Sequence, residues 1–305
     1  MRQLEYFVAV AETGSFGAAA QTLHISQPGL SKQIAVLEAE QGLTLFRRTS
    51  RSVALTQEGS ALLKEAKTTL AAARSFRSLA RKLAGDASTR FLAGVLPSIG
   101  AYFMPRLRER LQSRKPDIRI SLVEGPSREL LARLRSGELD FVIASISDAT
   151  GLECLPLFEE TLWFCSAPGD PLMDSDTPSP LSALAGRPLL TLSPEFYLTR
   201  VVEQLAREIG ATLSSEYRGA SLDAIRQMAA SGDGIAILPS LYALGEAIRD
   251  PNFKVRRIDH PDAIHPVFLY WRPNATDPAF FRSLGEEMIA EKMQIRAERD
   301  ARFQI

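Results

Sequence analysis

Ser26-Gln27-Pro28-Gly29-Leu30-Ser31-Lys32-Gln33-Ile34-Ala35-Val36-Leu37-Glu38 is the stretch whose reading decides the fold of this chain. Ser26 stands where a helix is capped, since its hydroxyl can accept from a free backbone N–H one turn on. Pro28 falls in the first turn, where no donor is needed. Leu30, Ile34 and Leu37 recur at spacings of four and three and make one apolar stripe. Gln27, Ser31, Lys32 and Gln33 occupy the other face, with the reach and donors suited to base edges and phosphates. On its own the stretch also fits an ordinary amphipathic surface helix.

The flanking residues decide between the two. Phe16–Leu23 reads as a short helix rich in small residues, and His24-Ile25 links it to Ser26. A short Ala-rich helix, a tight link and a capped polar-faced helix form a helix-turn-helix, whose second helix enters the major groove N-terminus first. Leu4, Phe7, Val8, Val10 and Ala11 supply a first helix that closes the small core. Leu45–Thr56 reads as a hairpin with Arg47, Arg48 and Arg51 around its tip, a wing placed to touch phosphates or a minor groove.

These residues carry a family resemblance. Phe7-x-Ala9-Val10-Ala11-Glu12-x-Gly14-Ser15-Phe16, Ala19-Ala20, Ser26-Gln27-Pro28-x-Leu30-Ser31-x-Gln33-Ile34, Leu37-Glu38, Gly42-x-x-Leu45-Phe46-x-Arg48 and Leu55-Thr56-x-x-Gly59 resemble the LysR-type transcriptional regulators. DNA-binding residues expected on both grounds are Ser26, Gln27, Pro28, Ser31, Lys32, Gln33, Arg47, Arg48 and Arg51. The partner expected is double-stranded promoter DNA.

Composition agrees with an ordinary globular chain. The 305 residues exceed one comfortable core, so two or three domains are expected. No apolar run is long enough to cross a membrane, no signal peptide is read at the N-terminus, and two cysteines make no disulfide framework. The cytoplasm is therefore the expected compartment. Overall charge is balanced at 36 Lys+Arg against 36 Asp+Glu, but residues 1–86 hold 11 basic and 7 acidic residues. That asymmetry suits specific contact with DNA better than indiscriminate binding.

From Glu58 to about Leu83 no proline interrupts a run rich in Ala, Leu, Lys, Arg and Glu, which predicts a long linker helix. Leu63, Ala66, Leu70 and Ala73 form a seam that drifts to Phe76, Leu79 and Leu83. The seam calls for a facing surface, either a second copy or the helix's own domain, and the resemblance favours a homodimer or homotetramer. Gly85-Asp86-Ala87-Ser88 reads as a hinge. The domains expected are thus 1–57, 58–87 and an effector domain over 88–305.

Beyond the hinge, strand-like and helix-like stretches alternate: strands at Phe91–Leu96, Ile118–Val123 and Asp140–Ala144, helices from about Gly100 to Arg114 and Arg128–Ser136. A second unit runs from Glu160 through Pro188–Leu192, a helix near Leu198–Ile209, a strand at Leu213–Tyr217, a helix at Leu222–Ser231 and a strand at Gly234–Leu238. His265–Trp271 and Pro278–Lys292 then supply a closing strand and helix. The rhythm predicts α/β architecture with parallel sheets covered by helices. The resemblance implies a two-lobed domain like the periplasmic binding proteins, with lobe I at about 88–160 and 265–305 and lobe II at about 161–264.

No nucleophile elbow, phosphate loop, dinucleotide fingerprint or metal-ligand spacing appears, and there are three histidines, so no enzyme, cofactor or metal is expected. In the second half the chain is most similar to the peroxide-sensing OxyR branch. The similarity is carried by Leu96–Pro105, by Ser221-Leu222-x-x-Ile225-Arg226-x-Met228-Ala229-Ala230-x-Gly232-x-Gly234-Ile235-x-x-Leu238-Pro239, and by Tyr270-x-Arg272-Pro273. Where that branch carries a His-Cys reactive pair, this chain has Phe196-Tyr197, and without a thiolate the sulfenate chemistry cannot start. Cys154 and Cys165 are expected to be buried apolar fillers, a redox switch between them being the alternative. A small-molecule site is expected where Ser98, Ser221 and Arg272 converge, flanked by Ile99, Gly100 and Ser145 and walled by Phe196 and Tyr197. Two helix N-termini and one guanidinium there would favour an anionic or aromatic effector. A binding protein with a vestigial DNA-binding head is the reading from another class.

Overall fold

A computed structural model describes residues 1–48, 53–83, 89–145, 149–175, 177–273, 275 and 277–303. The chain forms two compact units, one from residues 1–87 with 136–138, the other from 88–135 and 139–305.

The first unit runs α1 (Arg2–Thr13), α2 (Phe16–Thr22), α3 (Gln27–Gln41), the hairpin β1 (Phe46–Arg48) and β2 (Val53–Leu55), then α4 (Gln57–Leu83). Phe7, Phe16 and Phe46 meet edge to face, with ring centroids 5.5 and 5.8 Å apart. Around them Val10, Ala19, Leu30, Ile34 and Leu45 are buried. At the turn between α2 and α3, His24 takes a left-handed backbone with φ of 53°. The N–H groups of His24 and Ile25 return to carbonyls of Gln21 and Ala20, which closes α2 and redirects the chain. Glu38, at the far end of α3, accepts from the N–H groups of Leu45 and Phe46 at 2.7 and 3.2 Å and so fixes the start of the hairpin. Gly59 is obligatory, because a Cβ there would collide with the Leu45 carbonyl. Leu62, Leu63 and Ala66 of α4 pack on this core, so part of the expected dimer seam serves the helix's own domain. Phe76, one of the seam's later residues, is 73% exposed. The hinge expected at Gly85–Ser88 lies outside the described residues.

The second unit contains β3 (Thr89–Val95), α5 (Pro97–Tyr102), α6 (Met104–Arg114), β4 (Ile118–Glu124), α7 (Ser127–Arg135), β5 (Phe141–Ser145) and β6 (Glu153–Cys165). There follow β7 (Ser179–Pro180), β8 (Pro188–Leu190), α8 (Tyr197–Ile209), β9 (Thr212–Leu213), α9 (Leu222–Ser231), β10 (Ile235–Pro239), α10 (Ser240–Arg249), β11 (Arg256–Asp259), β12 (Ile264–Trp271) and α11 (Pro278–Phe303). The strands order as β4-β3-β5-β12-β6-β10-β8-β9. The expectation of parallel sheets needs correction. β3 is parallel to β4 and β5, and β8 to β9 and β10, but β12 and β6 run antiparallel to their neighbours. β6 crosses from one lobe to the other and β12 brings the chain back into the first, and the return direction imposes the reversal.

The 13-residue β6 joins the two lobes. Glu153–Thr161 pairs with β12, whereas Leu162–Cys165 pairs with β10. Two cores result. One gathers Val95, Ile99, Leu107, Leu130, Phe141 and Leu284; the other gathers Phe164, Leu190, Val202, Ile225 and Ile237. Tyr102 reaches from α5 to α10, where its hydroxyl donates to Glu246 Oε1 at 2.7 Å. Among the described residues, no helix is long and apolar enough to cross a membrane.

Candidate functional sites: the helix-turn-helix face and the inter-lobe cleft

Ser26 caps α3 as expected, its Oγ accepting from the Gly29 N–H at 3.2 Å, with Pro28 in the first turn. Leu30, Ile34 and Leu37 are buried, which turns Gln27, Pro28, Lys32 and Gln33 to solvent and leaves Ser31 half-buried. Arg47 is exposed on β1, opposite Ala54 of β2, which is also exposed. The hairpin therefore presents Arg47 outward, on the face away from Phe46. The backbone of Arg48 lies in β1, its side chain is outside the described residues, and so is Arg51. The arrangement offers amide and ammonium donors over the first two turns of α3, and an exposed guanidinium on a hairpin whose start is tied to the far end of that helix.

In the second unit the expected effector residues separate into three groups. Phe196 and Tyr197, at the start of α8, join Ser98 around a pocket of about 20 Å³, with Leu96, Pro97, Leu192, Leu198, Leu222, Pro239 and His265. That is room for one water-sized molecule. Phe196 also lines a larger open cleft of about 540 Å³, bounded by Pro97, Glu124, Gly125, Pro126 and Glu129 of one lobe and by Ser193, Glu195, Gly219 and Ala220 of the other. Ser221 follows directly, but its hydroxyl is used in capping α9, accepting from the Ala224 N–H at 3.2 Å.

Four expectations are corrected. Ile99 is fully buried in the core of its lobe and cannot reach a ligand. The space above Gly100, where a Cβ would sit, is taken by the Glu124 carboxylate. Ser145 is fully buried, and its hydroxyl lies 2.8 Å from His265 Nε2. Arg272 donates to the carbonyls of Leu134 and Leu139 at 2.8 and 2.6 Å. It follows the end of β12, seven residues and roughly 23 Å from His265, so it closes the end of α7 and takes no part in the cleft.

Sequence reading missed the buried charge cluster behind the small pocket. His265 sits on β12 opposite Glu160 of β6, with Nδ1 3.4 Å from Glu160 Oε2. The pattern fits an Nδ1–H donating to Glu160 and an Nε2 accepting from the Ser145 hydroxyl. Glu160 Oε1 accepts from Leu241 N–H at 2.8 Å in the first turn of α10. Burial opposes ionisation of Glu160, yet the bond to His265 and the charge of Lys292 hold its carboxyl below the ordinary range. Burial in turn pushes Lys292 down to about 8, against the attraction of Glu160. Arg299 donates to the Ser240 and Leu241 carbonyls, each at 3.0 Å, so α11 is tied to α10 beside the cluster. The signal available in the sequence was the polar Glu159-Glu160-Thr161 set between the apolar runs Leu155–Phe158 and Leu162–Phe164.

Cys165 is buried, and burial pushes its thiol up to about 12. Cys154 is exposed, against expectation. Both lie on β6, eleven residues and roughly 35 Å apart, far beyond the reach of a disulfide within the chain.

Family models agree with this geometry. Residues 1–60 match the bacterial regulatory helix-turn-helix of the lysR family, and residues 84–291 match the LysR substrate binding domain. The chain belongs to the LysR family of transcriptional regulators. Its helix-turn-helix is the DNA-binding part, and its second unit has the fold of the family's two-lobed domain. This LysR regulator is 33% identical over 304 residues to the DNA-binding transcriptional dual regulator OxyR of Escherichia coli K12, covering 99% of this chain and 97% of that protein. It is 32% identical to a hydrogen peroxide-inducible genes activator of Dickeya chrysanthemi, over 98% of this chain and 97% of that protein. Among solved structures it is similar to a full-length OxyR variant of Pseudomonas aeruginosa, with a TM-score of 0.68 at 28% identity, covering 94% of this chain and 93% of that one. The LysR family regulator CbnR shares the fold, with a TM-score of 0.69 at 24% identity over 95% of this chain and 98% of that one.

Proposed function

We propose that this LysR regulator is a cytoplasmic, homo-oligomeric operator-binding protein that answers a small molecule held between its two lobes, and not peroxide acting on a thiol. Ser26, Gln27, Pro28, Ser31, Lys32 and Gln33 would meet bases and phosphates in a major groove, with Arg47, Arg48 and Arg51 along the flanking backbone. The effector would lie in the 540 Å³ cleft, against Phe196, with Tyr197 and Ser98 behind it. Cleft closure around it would shift the lobes and, through the linker helix, the spacing of the DNA-binding heads.

Relatives named for peroxide-inducible genes suggest a peroxide response, and the placement of sulfur argues against it. Tyr197 stands where the OxyR-branch resemblance puts the reactive cysteine, and a phenol forms no sulfenate. Of the two cysteines present, Cys165 is a buried thiol held far from ionisation, and Cys154 lies too far along the same strand to resolve it. Operator binding measured before and after a mild peroxide pulse tests this. It should be unchanged in wild type and in a Cys154→Ser, Cys165→Ser double variant. A peroxide response that disappears in the double variant would overturn the reading.

A further inference from the structure

The charge of the inter-lobe cleft points to a class of effector. Three carboxylates face it: Glu124 and Glu129 from one lobe and Glu195 from the other. None of its described lining residues is a lysine, arginine or histidine. Two cations stand close by. Arg133 lies 3.7 Å from Glu129, one turn on along α7, and Arg218 adds a smaller attraction to the hydrogen bonds, led by that of the Ser193 side chain, that hold the Glu195 carboxyl below its usual range. Glu129, Glu195 and Arg218 are exposed and Arg133 partly so, so solvent weakens these attractions and they do not reverse the sign of the cleft. Among the described residues Glu124 forms no ion pair; its carboxyl rests over Gly100 of α5, where partial burial raises its pKa and leaves it in want of a cationic partner. An incoming anion would find the first turn of α5 already facing the chain's own carboxylate.

The spread of the acids narrows the class further. Among the described residues, no three carboxylates stand close enough to hold one metal ion. The cleft is also far larger than an ion. Its other walls include Pro97, Pro126 and Phe196, which are apolar surfaces suited to methylene groups, beside Ser193, Ala220 and two glycines.

We propose that the cleft takes an organic dication, an alkyl diamine or longer polyamine, with one ammonium at Glu124 and Glu129, another at Glu195, and its methylenes against Pro97, Pro126 and Phe196. The proposal rests on the cleft being the effector site. A molecule charged at both ends bridges the lobes, so its binding favours the closed arrangement. An anionic or purely aromatic effector does not match this lining.

Thermal unfolding of the full-length protein tests it, with putrescine and spermidine set against succinate, butanediol and magnesium chloride at matched ionic strength. The amines should raise the midpoint, and the diol, succinate and magnesium should not. Glu124→Gln and Glu195→Gln, both near-isosteric, should each raise the amine concentration needed for a given midpoint shift by on the order of tenfold, the value in affinity of a charge-assisted hydrogen bond. Stabilisation by amines that is equal in both variants would mean binding elsewhere and would overturn the proposal. So would the absence of any amine effect, or an effect reproduced by magnesium. A response to succinate alone, abolished when Ala220→Trp fills the cleft, would overturn the charge assignment while leaving the cleft as the effector site. A response to any ligand that survives Ala220→Trp, in a protein that still folds, would count against the cleft itself.

Discussion

At the scale of single residues, the most consequential groups are those with no freedom to move. Glu160 carries no solvent exposure and is shared among His265, Leu241 N–H and the charge of Lys292. Glu160→Gln would strand buried cationic charge, and a loss of about 3 kcal/mol in urea unfolding of the second unit is expected. The carboxyl is held below its ordinary range, so its contribution is present above the unfolded value and is lost as pH falls through the lowered one. Acid unfolding of wild type should therefore show a component that Glu160→Gln lacks. In the first unit, Gly59→Ala drives a Cβ into the Leu45 carbonyl, a backbone atom that cannot rotate away. A cost of about 1–3 kcal/mol in thermal unfolding is expected. Single residues were also the least legible in the sequence. Arg272 read as a ligand donor because sequence shows its chemistry and not the two carbonyls that consume it. Glu124 gave no signal at all, because its significance is the glycine across from it.

Elements were more legible, most of all where local chemistry sets the boundaries. Ser26, Pro28 and the 30/34/37 stripe place α3 correctly, and Ser221 with Gly232 brackets α9 over Leu222–Ser231. Failures occur where tertiary context overrides pattern. The single helix expected from Gly100 to Arg114 is two, α5 and α6, separated at Phe103 just before Pro105. β6 begins well before Glu160, because a crossing strand changes partners midway and shows no single alternation. The strand expected over Leu213–Tyr217 ends at Leu213, while α10, packed on both lobes, was not anticipated at all. The cap on α3 gives a direct test: Ser26→Ala should cost about 1 kcal/mol in thermal stability of the DNA-binding unit. For the exposed face, Lys32→Ala or Arg47→Ala should weaken binding to every duplex and reduce the salt slope by about 0.9 per phosphate contact.

For the whole molecule, periodicity carried a helical head, a long helix and an alternating α/β part, whereas the two lobes were implied by the family resemblance. It did not carry the state of assembly. α4 spends Leu62, Leu63 and Ala66 on its own head and leaves Phe76 in solvent. A dimer formed through this helix would have to use its C-terminal half, and Phe76→Glu should then shift sedimentation towards monomer without unfolding the heads. Dimeric heads would reach half-sites one or more helical turns, about 34 Å each, apart on one face of DNA. The central claim is that α3 reads sequence in such an operator, and footprinting of the neighbouring intergenic DNA with wild type and Gln27→Ala tests it most directly. Wild type should protect paired half-sites, and Gln27→Ala should lose on the order of 1–3 kcal/mol on that operator while keeping its affinity for unrelated duplex. Protection without a repeated half-site, or a Gln27→Ala footprint identical to wild type, would contradict the account.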